Sequence, residues 1–249
     1  YSGHNELTDF DIESLLAADI QITSAMKRTS TASQTAASIY VLTQDKIKAS
    51  GASSIPQALK LVPGMQVRKI DNNKWAIGIR NPAGRYTSRL LVMVDGQSIY
   101  NPATAGVYWE ALNYPIDDIE RIEVIRGQGG VLWGSNATNG VVNIITKMSI
   151  DTHTTLLKYS TGNYVDFDAS IRMGGDLSLG DTASYRVYAN SQRTDSSKES
   201  YEWQAHDSGK KNSIGARVDI GVTPDTSIII QGDYTHINIG QTINITEYG

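Results

Sequence analysis

Two hydrophobic patterns follow one another along the chain, and they change over near residue 150. From residue 154 onward, apolar and polar positions alternate. Val165, Phe167, Ala169, Ile171 and Met173 interleave with Asp166, Asp168, Ser170 and Arg172. Tyr185, Val187 and Ala189 interleave with Arg186, Tyr188 and Asn190, and Ile214, Ala216, Val218, Ile220 and Val222 with Gly215, Arg217, Asp219 and Gly221. A period of two makes each segment a strand with one apolar and one polar face. The predicted strands are 155–160, 165–173, 183–194, 212–222 and 227–237, with room for a sixth in the last twelve residues. Their connections are 161–164, 174–182, 195–211 and 223–226; the longest is polar, with Tyr201 and Trp203, and Thr223-Pro224-Asp225-Thr226 is a tight turn. Membrane β-strands run to about ten residues and carry charge on one face only. A soluble sandwich alternates as well, but with strands of about five or six residues. Alternation leaves both readings open, and strand length favours the membrane.

The first half has a different texture. Residues 1–24 form a polar, acidic lead-in around one amphipathic stretch, Leu7 to Ile20. Residues 25–148 hold most of the helix signals. Thr43 can cap a helix over Gln44–Ser50 that Gly51 stops. Ser54 can cap a second one with Pro56 in its first turn, ended by Pro63-Gly64. Apolar segments follow at Met65–Ile70, Trp75–Arg80 and Leu90–Asp95; after a turn at Pro115–Asp118 come Ile119–Arg126 and Gly140–Lys147. Short helices mixed with strands predict an α+β module.

Composition narrows the chemistry. The 22 Lys and Arg against 26 Asp and Glu give a net charge of −4, without the basic excess of a nucleic-acid binder. No apolar run approaches the roughly 18 residues of a membrane helix. Cysteine is absent, and the four histidines (4, 153, 206 and 236) have no partner at helical metal spacing. Neither a metal centre nor a cofactor is implied. The aromatic balance, 13 Tyr and 4 Trp against 2 Phe, suits half-wet interfaces.

Candidate enzyme motifs fail one by one. Gly127-Gln128-Gly129-Gly130 lacks the Gly-Lys-Ser/Thr of a phosphate loop, and Leu132 stands where a dinucleotide motif needs its third glycine. Gly96-Gln97-Ser98-Ile99-Tyr100 is one glycine short of a nucleophile elbow. Asp71-Asn72-Asn73 lacks the later glycine and glutamate of a calcium loop. The paired acids at Asp117-Asp118, and at Glu120 with Glu123, are read as negative charge at a helix start. The expectation is that the protein is not an enzyme.

Residues 119–147, Ile-Glu-Arg-Ile-Glu-Val-Ile-Arg-Gly-Gln-Gly-Gly-Val-Leu-Trp-Gly-Ser-Asn-Ala-Thr-Asn-Gly-Val-Val-Asn-Ile-Ile-Thr-Lys, resemble the end of the plug domain of TonB-dependent outer-membrane receptors. Leu61-Val62-Pro63-Gly64, Ile79-Arg80 and Leu91-Val92-Met93-Val94-Asp95-Gly96 precede them in the family's order, so the likeness covers about residues 35–148. Gln128 replaces the usual proline and Asn139 a glycine before Gly140.

The resemblance implies an N-terminal periplasmic segment over 1–34, a plug domain over 35–148, and the first strands of a transmembrane β-barrel over 149–249. The whole family fold is a plug inside a barrel of about 22 strands. The implied activity is binding of a scarce extracellular ligand, an iron–siderophore, similar metal complex or cobalamin. Its import through the outer membrane of a Gram-negative bacterium would be driven by TonB and its inner-membrane energising complex. Outer-membrane lipid would surround the barrel. The alternative is a non-transporting binding or sensing module built on the plug.

Several sites are expected. By the family's pattern a TonB box precedes the plug, and the alternating stretch Asp19, Ile20, Gln21, Ile22 and Thr23 is the best candidate for strand addition. Arg80, Glu120, Glu123 and Arg126 resemble the family's ion pairs between plug and barrel wall, with pairs internal to the plug as the other reading. If the segments Met65–Ile70, Trp75–Arg80 and Leu90–Asp95 run antiparallel, Asp71–Lys74 shares an end with the loop after Asp95. Asp71, Asn72, Asn73, Lys74, Trp75, Tyr100, Asn101, Tyr108 and Trp109 then form a ligand face. Ordinary packing of the rings is the competing expectation. Five or six strands cannot enclose a plug of this size. The remaining wall is therefore expected from the rest of a longer chain or from a second polypeptide.

Overall fold

The structure, a computed structural model, describes residues 21–22, 30–31, 38–80, 83–127, 133, 135–163, 165–177, 183–197, 206–223 and 226–240. Two short strands, β1 (Gln21–Ile22) and β2 (Ser30–Thr31), pair antiparallel near the N-terminus. β3 (Ser38–Thr43) leads directly into helix α1 (Gln44–Ser50). Thr43 stands at the N-cap without a side-chain bond, and Gly51 closes the helix in the left-handed region at φ 70°. Helix α2 (Ile55–Leu59) follows Ser54, with proline in its first turn as expected. The amphipathic stretch Leu7–Ile20 and a sixth strand after 240 lie outside the described residues.

β4 (Met65–Lys69) and β5 (Trp75–Ile79) form a hairpin of their own. β6 (Leu90–Val94) does not join it. It turns at Asp95-Gly96 into β7 (Gln97–Ser98), both turn residues having positive φ as a two-residue hairpin requires. β8 (Ile119–Arg126) and β9 (Gly140–Thr146) complete a sheet of order β3-β8-β9-β6-β7, in which β6 runs parallel to β9. The premise of three consecutive antiparallel strands is thereby corrected. β6 pairs with a strand far along the chain because its five residues are buried on both faces, the environment of a central strand.

One face of this sheet packs Leu42, Val92, Ile122, Val124, Val142 and Ile144 against both helices and the β4–β5 hairpin. The other holds Leu91, Met93, Ile125 and Val141. This N-terminal module has a conventional apolar core.

A second sheet, here the wall, is an antiparallel meander: β10 (Leu156–Ser160), β11 (Val165–Asp176), β12 (Ala183–Thr194), β13 (Gly209–Thr223) and β14 (Thr226–Ile239). Three strands exceed their expected lengths. Gly174 and Gly175 pair with Arg186 and Tyr185, and Lys210 and Lys211 with Arg193 and Gln192, although such residues look like loop in the sequence. The meander puts the connections 161–164 and 195–208 at one end, the long-loop end. Those at 177–182 and 224–225 lie at the other.

Candidate functional site

The module meets the wall through polar groups. Arg172 of β11, Arg186 of β12 and Arg217 of β13 are buried, Arg186 lying directly opposite Arg217 in the register. Asp118 receives Arg172 Nη1 at 2.6 Å and lies 3.7 Å from Arg186, which also donates to the Lys147 carbonyl at 2.7 Å. Arg217 reaches Asp95 at 3.5 Å, Asp219 of its own strand at 2.9 Å and Thr146 Oγ1 at 3.0 Å. Thr146 in turn donates its N–H and hydroxyl to the two Asp95 oxygens, both at 2.8 Å. Ser149 donates its N–H to Asp219 at 2.7 Å and its hydroxyl at 2.6 Å.

Three wall arginines thus meet three carboxylates, two from the module and one from the wall. A buried charge is tolerable only when paired in this way, because removing one partner leaves the other desolvated. Asp95 is aimed by its turn: at φ 48° it reverses the chain just where β6 ends against the wall.

A second contact lies at the long-loop end. The Asp71 carboxylate accepts the N–H groups of Asn73 and Lys74 (2.8 and 2.7 Å) and pairs with Lys74 Nζ at 2.7 Å, folding the loop on itself. Lys74 Nζ also donates to the Gly240 carbonyl at 3.1 Å. Asn72 donates its N–H to Asp207 at 3.0 Å and its side-chain amide to the Asp195 carbonyl at 2.7 Å. Asn73 is held between the Asp207 carbonyl and Thr194 Oγ1, at 2.5 and 3.0 Å. It fits because β13 opens with Gly209: a β-carbon there would lie 2.7 Å from Asn73 Nδ2.

Burial works to raise the Asp207 carboxyl. The Ser197 hydroxyl and N–H and the Asn72 N–H outweigh it and hold the group below the usual carboxylate range. Burial pulls the nearby Lys69 ammonium below the ordinary lysine range, against the attraction of Asp207 and Asp71.

Between these clusters, Asn113 bonds Ser213 at 2.9 Å and Tyr114 donates to Asp233 at 2.7 Å. Burial, then the Asp233 hydrogen bond, pushes the Tyr114 phenol well above its ordinary range.

The residues expected to form a ligand face divide. Asn73, Lys74, Trp75 and Trp109 are buried, the two tryptophans within the apolar core of the module. Asp71, Asn72, Tyr100, Asn101 and Tyr108 are partly exposed. The loop after Asp95 does not share the end of Asp71–Lys74: Asp95 contacts Arg217, well down β13 from the Gly209 that Asn73 approaches. The chain climbs back afterwards. Trp109, Trp75 and Asn72 line one cavity, and Asn101 and Tyr108 line another against β14.

Of the residues expected as wall pairs, Glu120, Glu123 and Arg126 make contacts inside the module. Glu120 and Glu123 both pair with Arg121, the latter at 2.9 Å, and Arg126 donates to the Pro63 carbonyl at 3.3 Å. Arg80, at φ 62°, lies near Gly127. On β8, Glu123 is fully buried. Among the described residues, the pairs that cross join Asp95 and Asp118 to Arg172, Arg186 and Arg217, and Asp117 to Lys158 of β10. Their signal was present as the charged face of the alternating segments, but its partners were not legible. Of the TonB-box candidates, Gln21 and Ile22 form β1, paired with Thr31 and Ser30; Asp19, Ile20 and Thr23 lie outside the described residues.

Comparison with known proteins agrees with this arrangement. Residues 31–141 match the TonB-dependent Receptor Plug Domain. The chain is 33% identical over 136 residues to the vitamin B12 transporter BtuB of Vibrio vulnificus, a match covering 54% of this chain and 22% of that protein. It is 31% identical over 192 residues to the ferric enterobactin receptor of Pseudomonas aeruginosa, covering 70% of this chain and 25% of that one. The chain therefore spans about a quarter of the length of these curated relatives. The pyoverdine outer membrane receptor FpvA of Pseudomonas aeruginosa PAO1 superposes with a TM-score of 0.68 at 22% identity, over 86% of this chain and 30% of that one. Plug match, relatives and architecture converge: the chain belongs to the TonB-dependent receptor family, carrying its plug domain and five antiparallel strands after it.

Proposed function

We propose that this chain is the plug and opening barrel wall of an outer-membrane receptor that captures a scarce ligand and imports it with TonB-transmitted energy. The observation that carries the reading is the inverted wall. Arg172, Arg186 and Arg217 are buried toward the plug, whereas Leu157, Ile171, Val187, Ile214 and Tyr234 stand exposed on the other face. An apolar outer face opposite a charged inner face suits a strand with lipid on one side and a filled lumen on the other. The long-loop end, where membrane barrels carry their extracellular loops, is then the ligand side. The plug residues offered to the ligand are Asp71, Asn72, Tyr100, Asn101 and Tyr108.

The cargo class follows the named relatives, a ferric siderophore or a cobalamin. The segment around Gln21–Ile22 receives the TonB strand, and a wall completed by further strands encloses the plug. Radiolabelled uptake tests this directly. Cells bearing the full receptor should accumulate ferric enterobactin or cyanocobalamin, and replacing Ile22 with proline should abolish accumulation while leaving surface binding intact. Full uptake by that variant would remove the TonB assignment; no binding of either compound would remove the cargo class.

A further inference from the structure

The cavity that Asn101 and Tyr108 line against β14 has a volume of about 380 Å³. Pockets for small ligands run from about 300 to 1,000 Å³. Its polar lining is Gln97, Asn101, Tyr108 and Tyr114 from the plug, with Gln231 and Asp233 from β14. Val94, Ile99 and Leu112 add apolar surface. The plug side is held by its own contacts. Asn101 and Gly106 exchange backbone hydrogen bonds at 2.8 and 3.3 Å, which closes the loop between them. Gly106 lies so close to Tyr86 that a β-carbon there would stand 2.8 Å from the Tyr86 Cα. Tyr108 then meets the Tyr86 ring edge-on, with 5.4 Å between centroids. Asn101 Oδ1 accepts the Ala103 N–H at 2.9 Å, which leaves its amide nitrogen as a donor. A lining fixed before the ligand arrives loses less order on binding.

The charge of this cavity is one-sided. Asp233 is exposed, and among the described residues no lysine, arginine or histidine lines the space. Basic groups on the neighbouring elements are engaged elsewhere. Arg217, opposite Gln231 in the register, donates to Gln231 Oε1 at 3.4 Å, but its charge answers Asp95 and Asp219. Arg186 faces Asp118, and Arg85, beside Tyr86, pairs with Glu110 at 3.3 Å. Lys211 lines the separate cavity beside α2, and His236 falls on the other face of β14 by alternation. The three seam arginines are matched by Asp95, Asp118 and Asp219, so Asp233 is a further carboxylate outside that balance. Its Oδ1 accepts the Tyr114 hydroxyl at 2.7 Å, a neutral partner that leaves the negative charge in place.

Given the receptor function proposed above, we infer that this cavity receives an uncharged or cationic part of the cargo, rich in amide or hydroxyl groups, and disfavours a polyanionic chelate. Amides and hydroxyls can both donate to Asp233 and accept from Asn101 and Gln97, while an apolar edge rests on Tyr108. Anionic oxygens brought to the same place meet a like charge with no cation to offset it, the arrangement by which binding sites suppress wrong partners. Of the two cargo chemistries, the amide-bearing, uncharged corrinoid fits this lining, and ferric enterobactin, a polyanion, does not.

Calorimetric titration of the detergent-purified full receptor with cyanocobalamin and, separately, with ferric enterobactin tests this without any uptake measurement. Cyanocobalamin should bind more tightly by about tenfold or more. Asp233→Lys should strengthen ferric enterobactin by about tenfold, and Tyr108→Ala should weaken cyanocobalamin by about the same factor. Assembly of each variant is checked by the mobility of unboiled barrel on a gel. If Asp233→Lys does not assemble, Asp233→Asn takes its place, with a gain for ferric enterobactin of about threefold. Equal or tighter binding of ferric enterobactin by the wild type, or an affinity for it that the assembled Asp233 variant leaves unchanged, overturns the inference and leaves the receptor function standing. Binding of neither compound removes the cargo class, and this inference with it.

Discussion

The plug sheet and the wall sheet are both mainly antiparallel, yet what they bury is opposite. In the plug, Val92, Ile122, Val124, Val142 and Ile144 are each 0% exposed. In the wall, the buried positions include Arg186, Ser213, Arg217 and Asp219, and the exposed ones include Leu157 at 77% and Ile214 at 60%. Strand geometry assigns residues to two faces; the medium on each side decides which face is apolar. A water-soluble sheet hides its apolar face, whereas a wall around a polar plug hides its charges and offers its apolar face to lipid. The contrast also explains why the two sheets join through arginine–aspartate pairs: the wall has no apolar inner face to offer.

The sharpest test places one charge in both environments. Ile122→Arg, in the sealed plug core, should cost more than about 4 kcal/mol and abolish plug folding. Ile214→Arg, on the outer wall face, should cost about 2–4 kcal/mol near the bilayer midplane. Urea titration of receptor refolded in bilayers measures both, and equal costs would erase the distinction between the sheets. Next comes the seam. Arg217→Leu strands Asp95 and Asp219 and should cost about 3–5 kcal/mol, read as new protease sensitivity of the plug. Adding Asp95→Leu should recover part of that loss, because one of the stranded charges is removed.

A smaller effect is expected at Tyr114, whose partner Asp233 is solvent-accessible: Tyr114→Phe should cost about 0.5–1.5 kcal/mol in the same titration. The smallest concerns the loop contact at Asp207. Its carboxyl is held below its ordinary value, so its contribution is complete above the unfolded pKa of about 3.9 and fades as pH falls through the lower folded value. The urea midpoints of wild type and Asp207→Asn should therefore differ at pH 6 and converge on strong acidification. A gap that persists unchanged would place the contact's strength elsewhere than in the charge.

Much of the local structure was legible in the sequence. The bounds of α1, β8 and β12 match the expected spans residue for residue, and the Asp95-Gly96 turn has the residues its positive φ values demand. These features depend on neighbours a few positions away, and caps, turns and alternation record them directly. The plug motif between 119 and 147 was likewise readable, because it is one continuous run.

What only the tertiary structure decided was partnership across distance. Leu90–Val94 looked like the third strand of a local meander and instead pairs in parallel with Gly140–Thr146. Trp75 and Trp109 have the composition of a ligand face, but most of each ring packs in the module's core, since a ring's hydrophobicity does not say whether cargo or protein will cover it. Glu120 and Glu123 found Arg121 beside them, while Asp95 and Asp118 met wall arginines dozens of residues away. Alternation could announce that Arg172, Arg186 and Arg217 share the polar side of their strands. Which carboxylates neutralise them depends on how two sheets dock, and docking is set by register, loop reach and the need to pair every buried charge at once.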